Sequence, residues 1–430
     1  MKTFFQFAER RTTYRKETLA GITTFLSMAY ILVVNPIILS QAGMDKGALF
    51  TATALSAIVG SLLIGVLANF PIGIAPSMGL NSFFTFSVCI GMGVPWEIAL
   101  TGVFVAGIIF MILSVMKIRE KIINVIPQDL KYAIAGGIGF FVAFIGFKNA
   151  GLVVANPETF VSIGNLSSPA TLLAAFGFVI TLMMLVRGIR GGIFYGMVAT
   201  TVMGMITGKI EVPNSIIGKV PSLDPTFGVV FTHLGDIFTL EIMAVIFTFL
   251  FVAFFDTAGA LIAVASQAGI MKDNKIPNAG RALLADSASG VAGAIFGTST
   301  TASFVESSAG VAVGGRTGFT SIVIAFCFSI ALFFSPILSV ITPEVTAPAL
   351  IIVGALMATE VRHINWSRLE IVIPTFVTII MMPLTFSVAT GIALGFILYP
   401  LAMISLKKWK DVHPIMYILC ALFIIHFAFS

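Results

Sequence analysis

FPIGIAPSMGLNSFFTFSVCIGMG at residues 70–93 and FGTSTTASFVESSAGVAVGG at 296–315 decide how this chain folds. Both are apolar and about membrane-length, yet neither reads as a clean lipid-facing helix. Pro71, Pro76 and the closely spaced glycines break the helical hydrogen-bond ladder, and backbone freed at membrane depth must be buried in protein or line a cavity. The second stretch also carries an acid, Glu306. A charged side chain near a bilayer centre costs about 2.5 to 3.5 kcal/mol on insertion scales, so intramembrane acids usually face a cavity and work there. Asp256, in FTFLFVAFFDTAGALIAV at 247–264, is the other such acid.

Working outward, the chain has 430 residues, of which 58% are apolar and only 10% charged, against roughly 25% charged in a soluble domain. Apolar tracts of helical length recur from Leu19 to Phe429, and tracts such as IFTFLFVAFF are apolar on every side. An all-α integral membrane protein is therefore expected, rather than a barrel with alternating strands. Spans are predicted near 17–40, 51–69, 75–91, 97–116, 131–147, 170–187 and 192–208. After a polar stretch, a second set follows near 241–266, 281–297, 299–313, 317–336, 346–361, 370–387 and 389–406.

Loop charge tests this count, because Lys and Arg in short loops collect on the cytoplasmic side. With the N-terminus cytoplasmic, only Lys46, Lys148, Lys209 and Lys219 of the 24 basic residues fall outside. One miscounted span would reverse every later loop. Seven spans per half insert the second half upside down relative to the first, the inverted-repeat plan of many secondary transporters. The organisation expected is a first repeat at 1–208, an extracellular or periplasmic connection at 209–238, a second repeat at 239–410 and an extra apolar tract at 411–430. The broken third span begins equally far into each half, 17 to 75 and 241 to 299. Interrupted segments at matching places point to a midplane site, with half-helix N-termini aimed at the ligand.

Several chemistries are disfavoured. The start MKTFFQFAERRTTYRKETLA lacks a cleavage pattern, and the first helix is expected to act as its own insertion signal. Cys89, Cys327 and Cys420 are scattered, and His233, His363, His413 and His426 do not cluster, so neither a disulfide framework nor a metal site is expected. No phosphate-binding loop occurs, and no nucleophile and base set marks an enzyme. The net charge of +5 is explained by topology without nucleic acid. Asp286, in GRALLADSASG, lies near the cytoplasmic end of its span, where an interfacial or helix-stabilising role competes evenly with a functional one. GLNSFF at 79–84 places the Asn81 amide beside Phe83 and Phe84, able to read the edge and stack on the face of a heterocycle, although such pairs are more often packing.

GITTFLSMAYILVVNP at 21–36, APSMGLNSFF at 75–84, FFDTAG at 254–259 and TSTTASFVESSAGVAVGGRTG at 298–318 together resemble the AzgA-like purine permeases of the nucleobase/ascorbate transporter superfamily. The resemblance covers nearly the whole chain. It implies fourteen segments in two inverted repeats, with a core domain of spans 1–4 and 8–11, a gate domain of spans 5–7 and 12–14, and short extended stretches in segments 3 and 10. It further implies a purine held by Asp256 and Glu306, with Asn81, Ser82, Phe83, Phe84, Thr257 and Ser303 around it and backbone N–H groups near Phe304 and Val305 assisting.

A purine offers ring N–H donors to carboxylates and a flat face to Phe. Proton-coupled uptake across the cytoplasmic membrane, without a cofactor, is the expectation, and Asp256 and Glu306 are the candidate proton carriers. Asp256 is favoured for the proton and Glu306 for the base, with the assignment open. A homodimer is expected from the resemblance alone. Another nucleobase such as uracil or xanthine, a channel, or an anion transporter of the same architecture are the competing readings.

Overall fold

The two broken stretches meet. In the computed structural model, which describes residues 4–116, 127–213, 215–270, 278–340 and 342–429, Ile74–Pro76 forms β1 and pairs antiparallel with Thr301–Ser303 (β4), Ala75 opposite Ala302. The ladder is extended at both ends by Ser77 N–H to the Thr300 carbonyl and Phe304 N–H to the Gly73 carbonyl, each 2.9 Å. Two broken, glycine-bearing segments, the first also interrupted by Pro71 and Pro76, thus satisfy each other's backbone inside the protein.

Around this pair the segments follow in the predicted order. Segment 1 is a broken helix, α1 Tyr14–Met28 and α2 Ile31–Ser40. Next comes α3 Lys46–Leu63, which is continued by a π-helical turn to Ala68. Segment 3 continues from β1 into α4 Met78–Ser82 and a π-helical stretch, Phe83–Gly91. The first half closes with α5 Trp96–Val115, α6 Gln128–Asn149, α7 Pro169–Val186 and α8 Gly192–Ile206. Between α6 and α7 lies a hairpin of β2 Val153–Asn156 and β3 Phe160–Ile163.

The second half has α9 Leu240–Gln267 and α10 Ala279–Phe296, then β4 followed by α11 Ser307–Val313. It ends with α12 Gly318–Ala331, α13 Pro343–Ala358, α14 Leu369–Leu384 and α15 Val388–Ser405. The apolar C-terminal tract is one further helix, α16 Pro414–Phe429, packed on α15, with Phe423 6.3 Å from Phe247 of α9. Among the described residues, 7 helical stretches are long and apolar enough to cross a membrane by length and composition. Segments 3 and 10 fall short because each begins with an extended stretch, which leaves helices shorter than a full span. Large apolar side chains such as Ile112, Val115, Val186, Phe326, Ile373 and Phe376 lie exposed on the outside, as a bilayer-facing surface requires.

Contacts gather the helices into two groups, called core and gate after the expected domains. The core gathers α1–α5 with α9–α12, and the gate gathers α6–α8 with α13–α15. At the centre of the gate, α6 crosses α13 glycine on glycine. A Cβ at Gly354 would sit 2.5 Å from the Gly139 carbonyl oxygen, and one at Gly139 would sit 2.6 Å from that of Gly354. This reciprocal contact, like the Ala75–Ala302 pair, is what two repeats related by a twofold produce where they meet their own counterparts. Core and gate also touch through Phe386, in a left-handed turn (φ 55°), whose ring lies 5.4 Å from both Phe86 and Phe141.

The connection at 209–238 lies on the core at one end of the bundle. Thr51 donates to the Pro221 carbonyl, Gly228 N–H to Ile295, Thr226 to Phe296 and Ser335 to Lys219. The alternation of spans puts the start of α3, the end of α10 and the region after α12 on that same side. At the opposite end the buried Glu17 carboxylate accepts from Arg316 N–H (2.9 Å), Thr317 N–H (3.2 Å) and the Thr320 hydroxyl (2.6 Å), capping α12.

Candidate functional site

The strand pair sets the site's dimensions. Three residue pairs span about 10 Å; α4 leaves one end of the ladder, and α11 begins just past the other at Glu306. Helix α9, which carries Asp256 and Thr257, packs against β4, α11 and α4. The backbone of Asp256 is helical, while its side chain lies outside the described residues.

Glu306 is half-buried, and its Oε1 accepts a 2.7 Å hydrogen bond from the Tyr30 hydroxyl. Tyr30 stands at the break between α1 and α2, so interruption of the first span turns a phenol onto the acid of the tenth. At the other end of the ladder Asn81 and Ser82 are fully buried on α4. The Asn81 amide donates to Asn35 Oδ1 of α2. Among the described residues, Asn81 Oδ1, Ser82 Oγ and Thr85 Oγ1 are buried with no partner. Positions 81, 82 and 85 share one helical face, and buried polar atoms left unpaired are costly enough that a polar ligand or water is their ordinary explanation. Phe83 and Phe84 are buried beside Phe249 of α9, with ring centroids 5.0 and 6.3 Å away.

Some residues stand differently from expectation. The hydroxyls of Thr257 and Ser303 donate to Asp286, at 2.7 and 3.3 Å. The Phe304 N–H is used by the strand ladder, and Val305 is 53% exposed. Asp286 is 2% exposed: two turns into α10, its carboxylate ties α9 to β4. A cavity of about 20 Å³, room for about one water, adjoins it between Phe110, Phe249, Ser287, Thr300 and Thr301. Tyr30 and Asn35 are thus polar residues around the candidate site that sequence reasoning did not single out, and Asp286 is one that it weighed evenly. Their common signal is a polar group amid apolar or small residues, as in MAYILVVNP and LLADSASG.

Known proteins share both the sequence and the fold. A family model described as "Permease family" (Xan_ur_permease) matches residues 15–394. The guanine/hypoxanthine permease PbuG of Bacillus subtilis (strain 168) is 56% identical, aligned over 100% of this chain and 100% of its own. The adenine permease AdeP of Escherichia coli (strain K12) is 42% identical over 99% of this chain and 95% of its own. Among solved structures, the transmembrane domain of the cyanobacterial bicarbonate transporter BicA superposes with a TM-score of 0.61 at 16% identity, covering 89% of this chain and 97% of that one. At that identity the likeness concerns the fold, in which two broken segments meet between inverted repeats. With a family match over most of its length and relatives aligned end to end, this chain belongs to the Permease family, and it is a multi-pass membrane transporter rather than an enzyme.

Proposed function

We propose that the protein takes up purine nucleobases, hypoxanthine and guanine first, across the cytoplasmic membrane in exchange for the free energy of a proton gradient. The observation that carries this reading is the ladder with Glu306 past one end and Asn81 beyond the other. Both present hydrogen-bond acceptors, and hypoxanthine and guanine are rich in N–H donors along their edges. Phe83 and Phe84 supply aromatic surface nearby, and the relatives named as purine permeases support the same class.

In this reading Glu306, held by Tyr30, binds the base, and Asp256 on the neighbouring helix carries the proton, taking it from the outer medium and releasing it at the higher cytoplasmic pH. The loop charges support a cytoplasmic N-terminus, with the connection at 209–238 outside. The core then moves against the gate as the ladder region changes its exposure, and the gate's outer face is where two copies would pair.

The test is uptake of radiolabelled hypoxanthine into proteoliposomes with an inward proton gradient. Saturable, concentrative uptake that guanine competes and uracil does not is the expected result. Concentrative uptake that persists after a protonophore collapses the gradient would sink proton coupling, and preferential competition by uracil would sink the purine assignment.

A further inference from the structure

Asn35 is joined to the candidate site through Asn81 alone, yet it is fully buried and bonded on three sides. Its Nδ2 donates to Thr53 Oγ1 (2.7 Å) and Thr298 Oγ1 (3.0 Å), and its Oδ1 accepts from the Asn81 amide. Thr53 Oγ1 in turn lies 2.6 Å from the Leu49 carbonyl oxygen. Two oxygens that close must share a hydrogen, and only the threonine has one to give.

The direction of the whole chain of hydrogen bonds follows from that carbonyl. Thr53, having spent its hydrogen on Leu49, can only accept, so Asn35 must turn its NH2 toward it. The Asn35 carbonyl oxygen then faces Asn81, which must answer with its own NH2. Asn81 is left presenting its carbonyl oxygen, the atom that is buried and unpartnered among the described residues. The orientation of an amide is set by its network, and here a backbone carbonyl that cannot donate sets it for both.

We propose that Asn35 is a positioning residue for substrate recognition: through Thr53 and Thr298 it holds Asn81 as an acceptor only, selecting bases with an N–H at that place. The inference rests on the reading that Asn81 lines the base site. It sharpens that reading, because an asparagine free to turn would accept or donate and would discriminate little.

The test measures competition by hypoxanthine and by its 1-methyl, 7-methyl and 9-methyl derivatives against radiolabelled hypoxanthine bound to the purified protein. In the native protein at least one methyl derivative, lacking the hydrogen offered to Asn81, should bind at least tenfold more weakly than hypoxanthine. In Asn35→Leu, hypoxanthine should weaken by about tenfold, equivalent to about 1.4 kcal/mol, and the penalty on that derivative should shrink to threefold or less. Asn35→Asp, whose neutral carboxyl offers one donor and one acceptor in the same directions, should restore discrimination. Thr53→Val combined with Thr298→Val leaves Asn35 in place but unaimed. It should lose discrimination as Asn35→Leu does, and it carries the test if that variant fails to fold.

Undiminished discrimination in the leucine variant or in the double valine variant overturns the relay. If Asn81→Leu weakens hypoxanthine while those variants keep their discrimination, the site reading stands and only the relay falls. If Asn81→Leu binds hypoxanthine normally, or the native protein does not bind it, the site reading fails and takes the relay with it.

Discussion

Glu306→Gln tests the base site most sharply, because the structure fixes which way the new amide must face. The Tyr30 hydroxyl lies 2.7 Å from Glu306 Oε1 and is buried, so after substitution it still requires an acceptor. The amide oxygen supplies it, which turns the amide NH2 toward the opposite side, where a base would offer its own N–H. A charge-assisted acceptor is thereby replaced by a donor facing a donor. Loss of one hydrogen bond to a charged group is about 1.5 to 3 kcal/mol, or roughly ten- to 150-fold in affinity. Folding should suffer much less, about 1 kcal/mol, since the Tyr30 bond survives in neutral form.

The assay is hypoxanthine binding by titration calorimetry in detergent, with thermal unfolding of the same samples. A companion variant separates orientation from charge. Adding Tyr30→Phe frees the amide to turn its oxygen toward the base, so the double variant should bind several-fold better than Glu306→Gln alone, a coupling read from the double-mutant cycle. Affinity within twofold of native in Glu306→Gln would remove Glu306 from the site. A double variant weaker than the single one would refute the assigned role of Tyr30.

Gly354→Leu should separate binding from transport: with its Cβ 2.5 Å from the Gly139 carbonyl, it forces α6 and α13 apart at a cost of about 1 to 3 kcal/mol. Hypoxanthine binding in the core should persist within threefold while uptake falls at least tenfold. Asp286→Leu strands the hydroxyls of Thr257 and Ser303, and thermal unfolding should report a loss of about 2 to 4 kcal/mol, largely recovered in Asp286→Asn. Glu17→Ala removes the shared acceptor of two backbone N–H groups and the Thr320 hydroxyl, and should cost about 3 kcal/mol in the same measurement. Glu17→Gln keeps one acceptor but turns its NH2 toward a backbone N–H, so it should recover only part of that loss.

The backbone plan was legible in the sequence for physical reasons. Bilayer thickness fixes span length, loop charge fixes alternation, and Pro76 beside Gly73 forbids a continuous third helix, so segment boundaries fell within a few residues of those observed. Polar pairing was not legible. Tyr30 and Glu306 are 276 positions apart, and Asn35 and Thr298 are 263 apart, separations at which no periodicity relates one side chain to another. Asp286 shows why depth is a poor guide. Its place early in the ninth span left an interfacial role as open as a functional one, whereas the carboxylate is held inside the protein by the hydroxyls of Thr257 on α9 and Ser303 on β4.

The strand register also explains why the site has an acid at one pole and none at the other. A twofold that exchanges Ala75 with Ala302 maps each residue of segment 3 onto the one 227 positions later, since Ile74 and Thr301 begin the two strands in the same sense. Glu306 then corresponds to Gly79. A Cβ on Gly79 would lie 2.6 Å from Ile138 Cγ2 of the gate helix α6, so a side chain there is excluded by the contact that joins core to gate. The repeat supplies two equivalent backbone positions, and packing against the gate reserves one of them for glycine. A single acid is left facing Tyr30, and the other pole falls to the amide at Asn81. Gly79→Ala therefore has a definite expectation: the methyl meets Cγ2 on the stiff, β-branched Cβ of Ile138, so α6 itself must give way, and uptake should fall by several-fold while Glu306 and its hydroxyl partner, built on the opposite repeat, continue to bind hypoxanthine.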